Sequence, residues 1–263
     1  MLAILSPAKT LDFESRLTTA KFSEPDFVRE SSTLIEHLRK YSTDEVASLM
    51  GISDKLAELN HRRYAEWSPV FSREDSRPAI LAFKGDVYIG LDGQSLSPRD
   101  LTWAQQHLRI LSGLHGLLRP LDRIHPYRLE MGTRLPTEAG QDLYQFWGGR
   151  VTAALNEALA AQKSSREREP ILINLASNEY YKVLQEADID ARIIHISFRE
   201  WKNGKYRFLS FFAKKARGSM ARYMIDHRIN TLKGLRAFDY DGYEFNQTLS
   251  EPDHWVFTRD QGQ

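Results

Sequence analysis

Residues 171–180 read ILINLASNEY, in which a mainly apolar run over residues 171–175 is followed at once by polar residues. A short apolar run of this kind is typical of a strand that is buried on both faces of a sheet. A helix is predicted to begin at Ser177. A buried strand that passes directly into a helix favours a fold that mixes the two element types.

Toward the C-terminus the pattern continues with more strands and a helix. Residues 192–198 and 206–212 alternate between apolar and polar positions on either side of Asn203-Gly204, which is a strong β-hairpin signal. Two further elements are predicted beyond the hairpin: a helix over residues 214–227 and a last strand over residues 255–258.

The N-terminal half is predicted to contain two short strands among several helices. Residues 2–5 read as a buried strand that ends at Pro7, because proline cannot donate to a strand ladder. Ser97-Pro98 is a good helix start, since it offers a capping hydroxyl and a proline at the first helical position. The predicted elements here are a strand over residues 79–83 and helices over residues 25–41, 43–50, 53–66, 97–111 and 141–162.

Composition supports a single globular unit. Hydrophobic residues make up 41% of the 263 residues and charged residues 27%, which is enough apolar material for a sizeable core. Residues 163–170, KSSREREP, are the only linker-like stretch and read as a surface loop. We therefore expect one compact α+β (mixed α/β) domain over residues 1–263, with a mixed sheet and surrounding helices.

Composition also excludes several kinds of site. The chain has no cysteine, which excludes disulfides, thiol catalysis and thiolate metal sites. It has no run of eighteen apolar residues and no signal-like N-terminus, so we expect a cytoplasmic protein with no membrane partner. The net charge is only +1, so binding to a polyanion would have to come from local segregation of charge.

The first candidate site is the segment EVASLMGISDKLA, residues 45–57, which resembles the helix-hairpin-helix element of DNA-binding proteins. In that element a tight turn presents backbone N–H groups at the start of the second helix, where the helix dipole also favours an anion. Gly51 and Ser53 would form the turn, Ser53 with a capping hydroxyl, and Lys55 would add a positive charge for the same phosphate. The alternative is a plain corner between two helices, with Lys55 in solvent.

The second candidate site is the basic segment 202–236, which holds ten basic residues and one acid in a chain of net charge +1. Lys214, Lys215 and Arg217 are placed where a strand passes into a helix, and Arg222 follows in the same helix. Basic residues at a helix N-terminus oppose the helix dipole, so a bound anion would explain them. The alternative is a solvated helix face that pairs with acids from elsewhere in the fold.

Three loops place a basic residue beside Gly, Ser or Thr after an apolar element: Lys9 in SPAKT, Lys84 in FKGDVY and Arg119 in LSGLHGLLRPLD. Loops after strands are where ligands tend to bind in α/β proteins, and the glycines of the third loop could let a backbone approach a phosphate. Ordinary turn chemistry explains each loop equally well. None of the three is a Walker A loop or a dinucleotide fingerprint.

Seven short segments resemble, in order along the chain, the peroxide stress resistance protein YaaA family. The match extends from the first residue to about Phe245. His115 is a departure, because many relatives are expected to have Tyr there. The segments are SPAKTLD (6–12), FKGDVY (83–88), LSGLHGLLRPLD (111–122), PYRLEMG (126–132), LYQFW (143–147), NLASNEY (174–180) and FFAKKARGSMARY (211–223).

This resemblance implies a cytosolic protein that protects cells under hydrogen peroxide by limiting damage from unincorporated iron. It also implies an unusual α/β fold with a positively charged cleft and a helix-hairpin-helix, at residues 49–57, that binds duplex DNA. The charge pattern adds an expectation about which basic side chains line that cleft: Lys9, Lys84, Arg119, Arg128, Lys214, Lys215 and Arg217.

An enzyme that acts on a nucleotide or another phosphorylated small molecule, bound in the same cleft, is the alternative function. Basic residues would hold the phosphate and a carboxylate would act as general base. The eight histidines include no His-x-x-x-His pair, so we expect no preformed metal site and no cofactor. The carboxylates considered for this role are Asp12, Asp86, Asp122, Glu130 and Glu179.

Overall fold

The computed structural model describes residues 1–162 and 169–260, so the predicted loop at residues 163–170 lies almost entirely outside the described residues. Within those two ranges the chain forms one mixed sheet with helices packed against it, as predicted. No helix in the same ranges is long and apolar enough to cross a bilayer.

Eight of the strands in the described part of the chain belong to one main sheet, and the others form two small two-stranded sheets. The strands are β1 Leu2–Leu5, β2 Thr10–Leu11, β3 Arg77–Pro78, β4 Phe83–Lys84, β5 Leu108–Ser112, β6 Gly116–Leu118, β7 Arg123–Ile124, β8 Ile171–Asn174, β9 Arg192–Lys202, β10 Lys205–Arg207, β11 Glu244–Phe245 and β12 His254–Arg259.

The main sheet has the order β11-β12-β9-β8-β1-β5-β6, with β10 paired to β9. Its centre is parallel, since β12, β9, β8, β1 and β5 all run in one direction, while β6, β10 and β11 add antiparallel edges. The central strand β1 is fully buried, with Leu2 opposite Leu172 and Ala3 opposite Leu108. Parallel strands with both faces covered are continuous apolar runs, which is why the sequence indicates β1 and β8 so directly.

Helix starts follow their capping residues. The predicted start at Ser97 is confirmed, because its hydroxyl accepts a hydrogen bond from Asp100 N and the Asp100 carboxylate bonds back to Ser97 N. The helices are α1 Val28–Leu38, α2 Thr43–Met50, α3 Asp54–Glu66, α4 Ala79–Ala82, α5 Asp86–Leu91, α6 Pro98–His107, α7 Leu143–Trp147, α8 Arg150–Ala160, α9 Asn178–Tyr181, α10 Ser210–Asp226 and α11 Leu232–Arg236.

The predicted strand over residues 79–83 is wrong. Residues 79–82 form the buried helical turn α4, and only the short β4 follows it. The Ile80 N–H donates to the carbonyl oxygen of Pro120 at 2.9 Å, which ties this turn to a distant loop. A short apolar run fits a buried helix and a buried strand equally well, so periodicity could not separate them.

Two predicted helices are shorter than expected. α6 ends at His107 and does not reach residue 111, because the chain from Leu108 onward pairs with β1 as β5. The helix predicted over residues 141–162 is broken into α7 and α8 at Gly148, which has φ +50°, and Gly149. Pairing in the sheet and backbone geometry therefore override the local helical pattern.

The strand after the hairpin is also shorter, and this moves the basic residues of α10. The hairpin at Asn203-Gly204 is confirmed, but β10 ends at Arg207 and α10 begins at Ser210. Lys214 and Lys215 therefore lie one turn inside the helix rather than at its N-terminus. The expectation that they oppose the dipole of the first turn is accordingly wrong.

α10 and α5 cross with their backbones in contact. A methyl group on Gly218 would overlap the carbonyl oxygen of Val87, and one on Gly90 would overlap the carbonyl oxygen of Lys215. Only glycine leaves room for the other backbone at these two positions. The crossing therefore fixes where α10 lies on the protein, and with it the basic side chains that α10 carries.

Candidate functional site

A cleft of about 1080 Å³ opens beside the carboxyl ends of β1 and β8, and we call it the strand-end cleft. Ligands of open α/β sheets bind at this edge, outside the carboxyl ends of the strands. The lining includes basic side chains (Lys9, Arg199, Lys214, Arg217), two acids (Glu179, Glu251), two histidines (His195, His254), small polar residues (Asn174, Ser177, Asn178, Ser197, Ser210) and aromatic residues (Tyr206, Phe208, Trp255).

Lys9 is the basic residue that the loop after β1 brings to the strand-end cleft, and it is already paired. Its Nζ lies 2.5 Å from Glu130 Oε2, while Arg128 Nη2 donates to the other oxygen of Glu130 at 2.9 Å. The Tyr64 hydroxyl of α3 donates to the carbonyl oxygen of Arg128. A continuous chain of contacts thus connects α3 to the wall of the cleft. Arg128 itself does not line the cleft.

Arg217 and Lys214 reach the strand-end cleft from α10, and Arg199 reaches it from β9. None of these three side chains forms an ion pair with any residue in the two described ranges. Arg217 Nε is buried and has no hydrogen-bond partner there. Burial lowers the pKa of the Arg217 guanidinium, with no nearby carboxylate to offset it.

Lys84 and Arg119, which were expected in the cleft, lie elsewhere and face carboxylates. Lys84 Nζ is 3.9 Å from Asp12 Oδ2, and Lys84 lines a separate cavity of about 170 Å³. Arg119 Nε donates to the fully buried Asp122 at 2.9 Å, in the ion-pair arrangement that serves to hold a loop. The structure does not bring these two side chains together with Lys9 and Lys214.

The remaining basic residues of α10 are likewise paired. Lys215 Nζ lies 3.1 Å from Asp241 Oδ1, and Arg222 Nε donates to both oxygens of Asp226 at 2.9 Å. The basic residues of α10 therefore divide into a paired group, Lys215 and Arg222, and an unpaired group at the strand-end cleft, Lys214 and Arg217. Of the seven residues expected to line a cleft, Lys9, Lys214 and Arg217 do so.

The turn between α2 and α3 has the compact geometry that its sequence suggested. Gly51 adopts the left-handed conformation (φ 58°, ψ 46°) at the end of α2, and α3 begins after Ser53. The Ser53 hydroxyl makes no capping hydrogen bond, contrary to expectation. Lys55 is exposed and forms no ion pair with the described residues, so its charge faces solvent.

The Gly-rich loop of residues 111–122 is occupied by the protein itself. A methyl group on Gly113 would overlap the carbonyl oxygen of Leu129, and Gly116 (φ +63°) packs against the ring of Trp147. His115 in this loop is fully buried. These glycines therefore permit close packing within the protein and not the approach of a phosphate.

Arg199 and the histidine pair of the strand-end cleft are the residues that sequence reasoning missed. His195 and His254 stack at 4.7 Å, His195 Nδ1 lies 3.1 Å from Asn174 Nδ2, and burial lowers the pKa of His195. Arg199 is four residues after His195 in β9, so the two-residue period of a strand puts both on one face. The alternation of residues along β9 was therefore the sequence signal that could have placed Arg199 beside His195.

No group of three or more His, Asp or Glu residues is placed to hold a metal ion in the described ranges. Glu251 and His254, which both line the strand-end cleft, have the Glu-x-x-His spacing that two metal ligands can have. Two residues are too few for a metal site of the kind that proteins build for iron or zinc.

Comparison with known proteins shows the family to which this chain belongs. A UPF0246 protein of Ralstonia pickettii is 53% identical over 98% of this chain and 99% of its own length, and one of Ralstonia nicotianae is 52% identical over the same shares. A UPF0246 protein of Cupriavidus metallidurans is 52% identical over 98% of both chains. The family described as Peroxide stress protein YaaA matches residues 1–249. The chain therefore belongs to the peroxide stress protein YaaA family.

Proposed function

We propose that this peroxide stress protein binds duplex DNA non-specifically, through phosphate contacts at the α2–α3 turn and at the strand-end cleft, and thereby limits damage from unincorporated iron. The proposal is carried by four basic side chains that lack an acidic partner among the described residues and lie at these two places: Lys55 at the turn, and Arg199, Lys214 and Arg217 at the cleft. Unpaired surface cations in a nearly neutral chain create a local positive field that attracts a polyanion. Contacts to phosphate position a protein on DNA without reading its sequence.

The α2–α3 turn supports a phosphate contact in a second way. Because the Ser53 hydroxyl does not cap α3, it satisfies none of the free N–H groups in the first turn of this thirteen-residue helix. Such N–H groups and the helix dipole together favour an anion, and Lys55 supplies a charge beside them. Asp54 in the same turn opposes the anion, so Lys55 is needed to offset it.

The same contacts offer a route by which iron damage is limited. A basic protein that neutralises DNA phosphates releases the cations condensed around them. Ferrous iron held by phosphate is such a cation. Displacing it would move the reaction between iron and peroxide away from the strand, without any metal site in the protein.

Reversing the charge at the turn should weaken duplex binding while leaving the fold intact. We expect Lys55→Glu to lower affinity for a random-sequence duplex about tenfold, because it removes one phosphate contact and adds repulsion. For four or five phosphate contacts, the wild-type plot of log K against log salt should have a slope of about −4. The variant should lose about one unit of that slope.

The matched control for that experiment is Arg99→Glu, which makes the same change of charge on α6. Arg99 is exposed and forms no ion pair with the residues that the structure describes. This control should change affinity less than about twofold. Fluorescence anisotropy measures both, and thermal melting checks the fold. Equal losses in the two variants would mean that net charge, and not the α2–α3 turn, governs binding.

Protection of DNA should depend on the same lysine. With plasmid DNA, ferrous iron and hydrogen peroxide, we expect saturating wild-type protein to reduce strand nicking at least about threefold through displacement of phosphate-bound iron. Lys55→Glu at the same concentration should protect less, and Arg99→Glu should match the wild type. Nicking is measured on agarose gels. Full protection by Lys55→Glu would contradict the displacement route.

A further inference from the structure

The interior of the strand-end cleft has a cationic side that lacks its anion. Arg217 Nε is buried without a hydrogen-bond partner in the described part of the chain. Arg217 as a whole is half-buried, and a buried N–H without a hydrogen-bond partner costs free energy, which an incoming anion would recover. Lys214, one turn earlier on α10, and Arg199 on β9 are free for the same anion. Basic side chains from two elements therefore face the same cavity.

The same cleft has an aromatic side. Phe208, in the short connection between β10 and α10, is 55% exposed, and Tyr206 lines the cleft beside it. Tyr206 is supported from behind by Trp201, whose ring lies 5.0 Å away in an edge-to-face arrangement. A half-exposed phenylalanine at the mouth of a cleft is costly in water and offers a flat face for stacking.

The size and lining of the cleft allow it to hold a ligand in its interior, in addition to a phosphate at its basic side chains. Its volume of about 1080 Å³ slightly exceeds the roughly 300–1,000 Å³ that small-ligand pockets occupy, which leaves room for a ligand of nucleotide size. Such pockets hold a ligand through a few polar groups at one end and apolar contact at the other, whereas a duplex keeps its bases stacked inside and offers only its backbone. The strand-end cleft offers both polar groups and aromatic side chains to a ligand. The α2–α3 turn is proposed to offer only polar groups.

We propose that the strand-end cleft binds a single unstacked nucleotide, with its phosphate at Arg217, Lys214 and Arg199 and its base against Phe208 and Tyr206. This rests on the proposed function only in giving the cleft a phosphate ligand, and it names what fills the interior. The nucleotide is either a free mononucleotide or one unit of a single strand, since both present the same base and phosphate.

Isothermal titration calorimetry with AMP, adenosine and ribose 5-phosphate tests the cationic and the aromatic side of the cleft separately. We expect AMP to bind at least about tenfold more tightly than either fragment, because only AMP uses both the stacking and the phosphate contacts. A single-stranded oligothymidylate distinguishes the two sources. Weak AMP binding with tight oligothymidylate binding assigns the site to a strand, provided that the variants described next weaken the oligothymidylate too.

Two variants test the phosphate contact and the stacking contact separately. Arg217→Met keeps the length of the side chain without its charge and should lower AMP affinity about tenfold while leaving adenosine unchanged. Phe208→Ala should lower AMP affinity about tenfold while leaving ribose 5-phosphate unchanged. The controls are Lys215→Met, on the same helix but outside the cleft, and Phe211→Ala, which is 59% exposed and does not line the cleft. Both controls should bind AMP as the wild type does.

A stability measurement keeps the test decisive even if binding is weak. Because Arg217 is desolvated without a partner, Arg217→Met should raise Tm by about 2–4 °C, and saturating AMP should stabilise the wild type but not this variant. AMP binding that neither Arg217→Met nor Phe208→Ala weakens would overturn the proposal. Absence of any nucleotide binding would also overturn it, and duplex binding that depends on Lys55 would survive that result. Conversely, AMP binding by a wild-type protein that fails to bind duplex DNA would overturn only the proposed function.

Discussion

Lowering the pH from 7 to 4 should cost the wild-type protein about 3 kcal/mol more of its unfolding free energy than it costs a His115→Leu variant. His115 is fully buried, and burial lowers its pKa from 6.5 to about 3, with a smaller contribution from His125. The unfolded chain therefore binds the proton first as the pH falls. Stability is lost progressively below about pH 6.5, and the loss ends near the folded pKa of about 3.

The environment of His115 explains why its ring stays neutral in the folded protein. Its Nδ1 lies 2.9 Å from the Ser31 hydroxyl, its Nε2 has no partner among the described residues, and its ring packs edge-on against Tyr127 at 5.2 Å. No carboxylate of the described ranges forms an ion pair with His115, so none of them stabilises an imidazolium there. Leucine is a suitable replacement because the Ser31 hydroxyl still reaches the carbonyl oxygens of Phe27 and Leu114.

Urea unfolding at pH 7, 5.5 and 4 checks this expectation. All other titrating groups are shared by the two proteins, so their contributions cancel in the difference between the two curves. Parallel loss of stability in wild type and variant would show that His115 is protonated in the folded state. In that case the ring would have a role that its burial does not suggest.

Elements with a strong local signal could be predicted from the sequence. The buried runs of β1 and β8, the Asn203-Gly204 hairpin and the Ser97 cap all lie where the pattern puts them, because turn geometry and capping are decided within a few residues. The two helices around Gly51 are confirmed for the same reason.

What could not be predicted depends on partners distant in sequence. The chain from Leu108 becomes a strand because β1 is beside it, and the apolar turn α4 is tied to Pro120 forty residues away. The pairing of charged side chains also depends on residues that are distant in sequence. Arg222 has its acid four residues later, but Lys215 is neutralised by Asp241 and only the fold reveals it. The number of basic residues in a segment therefore does not tell which of their side chains are paired in the fold.

Replacing Gly218 by alanine should destabilise the protein by about 3 kcal/mol, because the added methyl group overlaps backbone atoms and not a movable side chain. Alanine normally favours a helix interior over glycine, so a propensity argument predicts the opposite sign. Gly149→Ala is the control: Gly149 has φ −80°, and an added methyl group meets only the end of the Gln185 side chain. That variant should change the free energy of unfolding by less than about 1 kcal/mol.

Gly90→Ala sharpens the test, since Gly90 faces Gly218 across the same crossing of α5 and α10. Once one methyl group has separated the helices, the second meets less resistance, so the double variant should cost less than the sum of the two single variants. Additive losses, measured by urea unfolding, would mean that the two glycines act independently and that the backbones do not meet.

The crossing also places Arg217, the residue before Gly218, at the strand-end cleft. A folded Gly218→Ala protein should therefore lose nucleotide affinity as well, because a shift of α10 moves the guanidinium without removing its charge.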